Sequence, residues 1–176
     1  MSGHNKWSKI KNKKAITDAE KSKVFSKFSQ LITIESKKAK GDENSPVLRA
    51  VIERAKKENM PTTNIEKAVK KGAGADAGNL EEVLYEAYGP GGVAIIIEGI
   101  TDNKNRSAAE IKHILSKNGL SLAGQGSAIW AFEKTHEGWN PKQMSPIGKD
   151  DGVKLENLIE ELENNDAVQS VYTNAE

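Results

Sequence analysis

From Ala73 to Asn79 the chain has no bulky apolar side chain, and on either side of this stretch the apolar residues follow different periods, helical before it and alternating after it. Ala73-Gly74-Ala75-Asp76-Ala77-Gly78-Asn79 can bury little, so residues 73–79 are expected to link two lobes. One lobe is a basic helical domain over 1–72 and the other an α+β domain over 80–176. Two small cores also suit 176 residues of which only 36% are hydrophobic. Gly72-Ala73-Gly74 is not a nucleotide-binding loop, because it leaves a helix instead of joining a strand to one and no Lys-Ser/Thr follows.

The same boundary divides the charge. Residues 1–72 carry 18 Lys and Arg against 8 Asp and Glu, net +10, whereas 73–176 carry 8 against 17, net −9, in a chain whose total is +1. A lobe this basic gathers polyanions, and an acidic lobe of similar size holds them off. Lysines that only solvate a surface alternate with acids, but the first 14 residues contain five lysines and no acid.

In the basic lobe Thr17-Asp18-Ala19-Glu20 has capping-box spacing, and Val24, Phe25, Phe28, Leu31 and Ile32 recur at helical intervals, which predicts a helix from about Asp18 to Lys40. Ser45-Pro46 starts a second helix whose buried stripe is Val47, Leu48, Val51, Ile52 and Ala55. Met60-Pro61 stops it. Thr63-Asn64-Ile65-Glu66 offers a capping box for a third helix ending at Gly72.

Beyond the linker Val83, Tyr85 and Ala87 alternate with Glu82 and Glu86, and after Gly89-Pro90-Gly91-Gly92 comes the apolar run Val93–Ile97, a surface strand turning into a central one. Asp102-Asn103-Lys104-Asn105 opens a helix carrying Ala108, Ile111, Ile114 and Leu115, closed at Asn118-Gly119. Ser127–Glu133 reads as a strand with Ala128, Trp130 and Phe132 on one side. A short strand is expected near Gln143–Ile147, a last helix on Val153, Leu155, Leu158, Ile159 and Leu162, and a closing strand on Val168, Val171 and Tyr172. The order β-β-α-β-β-α-β puts helices on one face of a mostly antiparallel sheet, an α+β layer of ferredoxin-like type.

Catalytic chemistry finds little support. There is no cysteine, and His4, His113 and His136 lack metal-ligand spacing, so neither metal nor cofactor is expected. Asp150-Asp151 reads as an N-cap pair and Glu160-Glu161-Glu163 as a solvated helix face. No nucleophile elbow or catalytic carboxylate pair is present, so a non-enzymatic protein is expected. Val93–Ile97 is too short to span a bilayer and no apolar segment follows the N-terminal lysines, so the protein is expected to be cytoplasmic, with no membrane partner.

Binding chemistry is better represented. Lys6, Lys9, Lys11, Lys13 and Lys14 form an arm suited to several phosphate contacts, in which Trp7 either stacks on a base or pins the arm beside Ile10. Lys21, Lys23 and Lys27 on the first helix and Lys67, Lys70 and Lys71 on the third extend the cationic surface. Lysines read phosphate rather than base edges, so the expected partner is duplex DNA or structured RNA.

Gly3-His4-Asn5-Lys6-Trp7, Asn59-Met60-Pro61, Tyr85-Glu86-Ala87-Tyr88-Gly89-Pro90-Gly91-Gly92, Thr101-Asp102-Asn103-Lys104-Asn105-Arg106, Gly126-Ser127 with Trp130 and Phe132, and Val171-Tyr172-Thr173-Asn174-Ala175 resemble the YebC/PmpR family nearly end to end. The family includes the mitochondrial translational activator of cytochrome c oxidase. The resemblance implies a helical N-terminal domain, α+β domains and no enzymatic activity. It further implies a DNA-binding transcriptional regulator or, alternatively, a translation factor contacting the ribosome. It assigns nucleic-acid contact to the Gly3–Lys14 arm and the first helices. It also implies a second functional surface on Tyr88, Gly89, Pro90, Gly91 and Gly92 with Asp102, Asn103, Lys104, Asn105 and Arg106. Typical members carry a further small domain inserted in the α+β lobe, but here about 20 residues separate Lys134 from the last helix, too few for one.

Overall fold

The computed structural model describes residues 17–75 and 77–176. Lys6, Trp7, Lys9, Lys11, Lys13 and Lys14 therefore lie outside the described residues. One compact unit takes residues 17–82 together with Ile100–Asn103, and a second takes Val83–Gly99 and Lys104–Glu176.

The first unit holds α1 (Asp18–Lys38), α2 (Pro46–Lys57) and α3 (Thr62–Ala73). The capping box of α1 forms as its spacing predicts: the Glu20 N–H donates to Thr17 Oγ1 at 3.3 Å and the Thr17 N–H to Glu20 Oε2 at 2.7 Å. Both α1 and α2 end with a non-glycine residue at positive φ, Lys40 at 53° and Asn59 at 63°. The following amide in each case reaches back, Gly41 N to Ser36 O at 2.9 Å and Met60 N to Ala55 O at 3.0 Å. This closure turns Met60 into the core. The capping box expected at Thr63–Glu66 does not form, because Pro61 occupies the cap with no side-chain bond and its carbonyl takes the Asn64 and Ile65 amides.

Ile32, Leu48, Val51, Ala55, Met60, Ile65, Ala68 and Val69 make the core of this unit. Small residues set how closely α1 and α3 approach. Ser36 Oγ donates to Val69 O at 2.7 Å, Thr33 Oγ1 to Ala68 O at 3.4 Å, and a Cβ on Gly72 would lie 2.2 Å from Thr33 O. The stretch after α3 is seated rather than loose, with Ala77 buried and Lys37 Nζ 3.4 Å from Gly78 O.

In the second unit β1 (Glu81–Tyr88) and β2 (Ala94–Thr101) are joined by the 3₁₀ turn Pro90–Gly92, then come α4 (Lys104–Lys117), β3 (Leu122–Ala123), β4 (Phe132–Thr135), β5 (Gly138–Pro141), α5 (Lys149–Glu163) and β6 (Val168–Thr173). The sheet order is β3-β1-β2-β6, with β3 antiparallel to β1 and β6 antiparallel to β2. The sheet and its two helices make the expected α+β layer, with β4 and β5 forming a separate hairpin. Ile95, Ile97, Ala87 and Val171 pack under Ile111, Leu115, Leu155, Leu158 and Leu162 of α4 and α5. On the opposite face Ala94, Ile96 and Tyr172 pack under Ala128, Ala131 and Phe132, with Trp139 beside them. Between the helices, Glu161 pairs with Lys117 and accepts from Asn118 Nδ2 at 3.0 Å; the Lys117 hydrogen bond is the main reason its carboxyl is held below the usual range.

The strand expected over Ser127–Glu133 is instead a turn, then a 3₁₀ helix at Ile129–Ala131, with β4 starting only at Phe132. The cause is Glu86. Its carboxylate, 4% exposed, accepts the N–H groups of Gly126 at 2.7 Å, Ala128 at 2.9 Å and Ile129 at 2.7 Å, so these donors serve a side chain instead of a ladder. Burial pushes the Glu86 carboxyl up, but the three amides outweigh it and hold it below its ordinary value. Glu98 on β2 likewise holds the hairpin, accepting Lys134 Nζ and Trp139 Nε1, each at 2.7 Å, with Lys134 4.7 Å over the Trp139 ring. The hairpin's second strand falls at Gly138–Pro141 and not at Gln143–Ile147, where the only pairing among the described residues is the Ser145–Ala175 bridge. Asp150 and Asp151 lie in the first turn of α5, behind the cap Gly148, and are not an N-cap pair.

Gly72→Ala should destabilise the protein by about 1–3 kcal/mol, read from urea denaturation, since the added methyl meets backbone that cannot step aside. Glu86→Gln should cost about 1–3 kcal/mol at neutral pH. Because the native Glu86 carboxyl titrates below the unfolded one, its contribution is present above the ordinary glutamate range and lost as pH falls through the native value. The Glu86→Gln variant should therefore lose less stability on acidification than wild type.

Candidate nucleic-acid interface

On α3 the residues Ile65, Ala68, Val69 and Gly72 are buried, and the 3.6-residue period places Lys67, Lys70 and Lys71 on the outward side, all exposed. Lys70 and Lys71 sit in the last turn, where a cation also meets the negative end of the helix dipole. On α1 Lys21 and Lys23 are exposed and Lys27 is half-buried. Among the described residues, Lys21, Lys67, Lys70 and Lys71 have no carboxylate within ion-pair distance.

The two lysine groups are held by one contact. α3 crosses α1 where Ala68, Val69 and Gly72 meet Thr33 and Ser36. Lys67, Lys70 and Lys71 therefore flank the second half of α1, and Lys27 precedes Thr33 by six residues, about 9 Å along the axis. Lys37, which sequence reasoning did not single out, belongs to the crossing: its backbone nitrogen is 3.0 Å from where a Gly72 Cβ would be, and its side chain is exposed. Its position four residues after Thr33 was the available signal. Arg54 of α2, also missed, lies 5.8 Å over the Phe28 ring of α1. Lys38 is different. Burial opposes its charge, but Glu82 at 2.9 Å and Glu35 at 3.0 Å more than offset this and raise its pKa, so its ammonium is committed within the unit.

The second set of candidate residues does not gather at one place. Tyr88, Gly89, Pro90, Gly91 and Gly92 precede β2, with Gly89 buried and Gly91 and Gly92 exposed at φ 72° and 77°. Asp102, Asn103, Lys104, Asn105 and Arg106 follow β2 and are all exposed. The eight residues of β2 lie between the two sets, about 26 Å of strand. What does adjoin Tyr88 is Trp130, expected to share one side of a strand with Ala128 and Phe132, which are buried, whereas Trp130 is 61% exposed. Its Nε1 donates to Ser127 O at 2.8 Å and to Tyr88 Oη at 3.1 Å, and Tyr88 Oη donates in turn to Ser127 O.

Among the described residues no three His, Asp or Glu side chains are grouped to hold a metal ion, and His113 and His136 are both exposed. No helix among them is long and apolar enough to cross a membrane.

Comparison with known proteins places these features in a lineage. Residues 5–75 match a family model described as the TACO1/YebC protein N-terminal domain, and residues 80–137 match one described as the TACO1/YebC second and third domain. Proteins named "Probable transcriptional regulatory protein" from Thermosipho africanus and Thermotoga maritima are 54% and 47% identical, over 76% and 90% of this chain and 54% and 61% of their own length. The chain thus spans about half the length of the curated relatives it matches. A crystal structure of a conserved hypothetical protein from Aquifex aeolicus superposes with a TM-score of 0.82 at 29% identity, covering 90% of this chain and 91% of that one. The second domain match stops at Glu137, in the turn between β4 and β5. With both matches together covering most of its length, this chain belongs to the TACO1/YebC family.

Proposed function

We propose that the chain is a non-enzymatic regulator of gene expression that binds nucleic acid through the lysines of its helical unit, acting as a DNA-binding transcriptional regulator in the cytoplasm. The observation that carries this reading is the outward row on α3, Lys67, Lys70 and Lys71, exposed and without a carboxylate partner among the described residues. A row of ammonium groups on a rigid helix neutralises phosphates and releases their counterions, which gives affinity without base selection. The exposed side chains of Lys21 and Lys37 extend the same chemistry along α1, and the lysine arm over 6–14 would add to it. The relatives' name, probable transcriptional regulatory protein, agrees with such a role.

Binding of a DNA duplex should weaken steeply as salt rises. Replacing Lys67, Lys70 and Lys71 together with alanine should flatten the slope of log K against log salt by about 0.9 for each phosphate that the variant no longer neutralises. A salt-independent interaction, or none with either duplex DNA or an RNA hairpin, removes the proposal. Lysines serve RNA phosphates equally well, so direct competition between the DNA duplex and the hairpin, with ribosome co-sedimentation, decides between a transcriptional and a ribosome-associated role.

A further inference from the structure

We propose that Trp130 is a stacking platform for an unpaired nucleobase; this rests on the nucleic-acid reading above and adds to it a site on the second unit. The indole is displayed and held still at once. It is 61% exposed, yet its neighbours Ala128, Ala131 and Phe132 are 0%, 1% and 3% exposed, and the Glu86 carboxylate grips the amides of Gly126, Ala128 and Ile129 just before it. Its one polar group is already used, the Nε1–H being shared between Ser127 O and Tyr88 Oη. What remains for a partner is the flat aromatic face, with no hydrogen bond left to offer.

That remainder fits a base better than a protein surface. Beyond Tyr88, the stretch leading to the ring is exposed Gly124, Gln125 and Gly126, which add nothing to the apolar core that a protein interface needs. A cation for the adjoining phosphate is at hand: the Lys142 N–H donates to Ala131 O at 2.8 Å, which roots an exposed lysine one residue from Trp130 across the chain. Lys134 is occupied by Glu98. Residues 124–143 carry two lysines and two glutamates; Glu86 and Glu98 beneath them are engaged by backbone amides and by Lys134 and Trp139, which leaves Lys142, without an ion pair among the described residues, as the cation a phosphate would meet. Ring stacking is tolerant of sequence because every base has a π face, so the ligand class is single-stranded nucleic acid.

The test uses the full chain with a labelled oligouridylate and a labelled DNA duplex, followed by anisotropy. Trp130→Ala should weaken single-strand binding about fivefold to a hundredfold and leave duplex binding unchanged. Lys142→Ala should weaken it less. Trp130→Phe, which keeps a ring, should retain most of the affinity while losing the quenching of indole emission that the oligouridylate produces in wild type. Unchanged single-strand affinity in Trp130→Ala, equal loss on both probes, or full quenching in Trp130→Phe overturns the proposal. So does a wild-type dimer in sedimentation that Trp130→Ala dissolves, since a second copy would then cover the ring. Wild type that binds the duplex but not the oligouridylate defeats the platform and leaves the lysine reading standing; wild type that binds neither defeats both.

Discussion

The burial of β2 on both faces is the constraint from which the second unit follows. Ala94, Ile95, Ile96 and Ile97 are at most 2% exposed, so the strand must be covered twice. Two amphipathic helices cover one side with a continuous apolar layer. The other side is covered by residues 124–141, a turn, a 3₁₀ helix and a hairpin, and a cover with little apolar area of its own needs polar fastening. Glu86 and Glu98 provide it from adjacent strands, one gripping backbone amides and the other a lysine and an indole. Of the two, Glu86 is the deeper, at 4% exposed, and its carboxylate left without these amides would cost more than the bonds themselves contribute.

Much of this is legible in the sequence, and the failures share a cause. Helix α1 is readable to within two residues at its C-terminal end, since Thr17 and Glu20 are close in sequence and form their cap locally. Asn118-Gly119 closes α4 for the same reason. The α+β class and the helical domain before it are also readable, because helical and alternating periods differ plainly. The segment 127–133 misleads because its conformation is dictated by Glu86, some forty residues earlier, and alternating apolar residues give no hint of a carboxylate beneath them. Thr63–Glu66 has the right letters for a cap, but Pro61 has already turned the chain.

The candidate interface shows the same division. The lysine rows on α1 and α3 are visible as composition, but the contact that sets one against the other, with Gly72 against Thr33 and Ser36, appears only in three dimensions. The two segments flanking β2 resemble one surface because both are rich in turn-forming and polar residues, and strand length separates them. Trp130 has the spacing of a core residue. Its exposure follows from the turn, in which Ala128 and Ala131 are buried and Trp130, the second of the two residues between them, faces out.

Helix α1 is two helices in character. Its buried residues all fall between Ile32 and Ser36, whereas the stretch carrying Lys21, Lys23 and Lys27 is supported by half-buried Val24, Phe25 and Phe28 and by one cap. A helix end with so little tertiary backing opens at small free energy, so its backbone amides should exchange with solvent hydrogen far sooner than those three turns further on. A phosphate that settles on those first turns would have to hold them wound, so part of its binding free energy would go into ordering the helix.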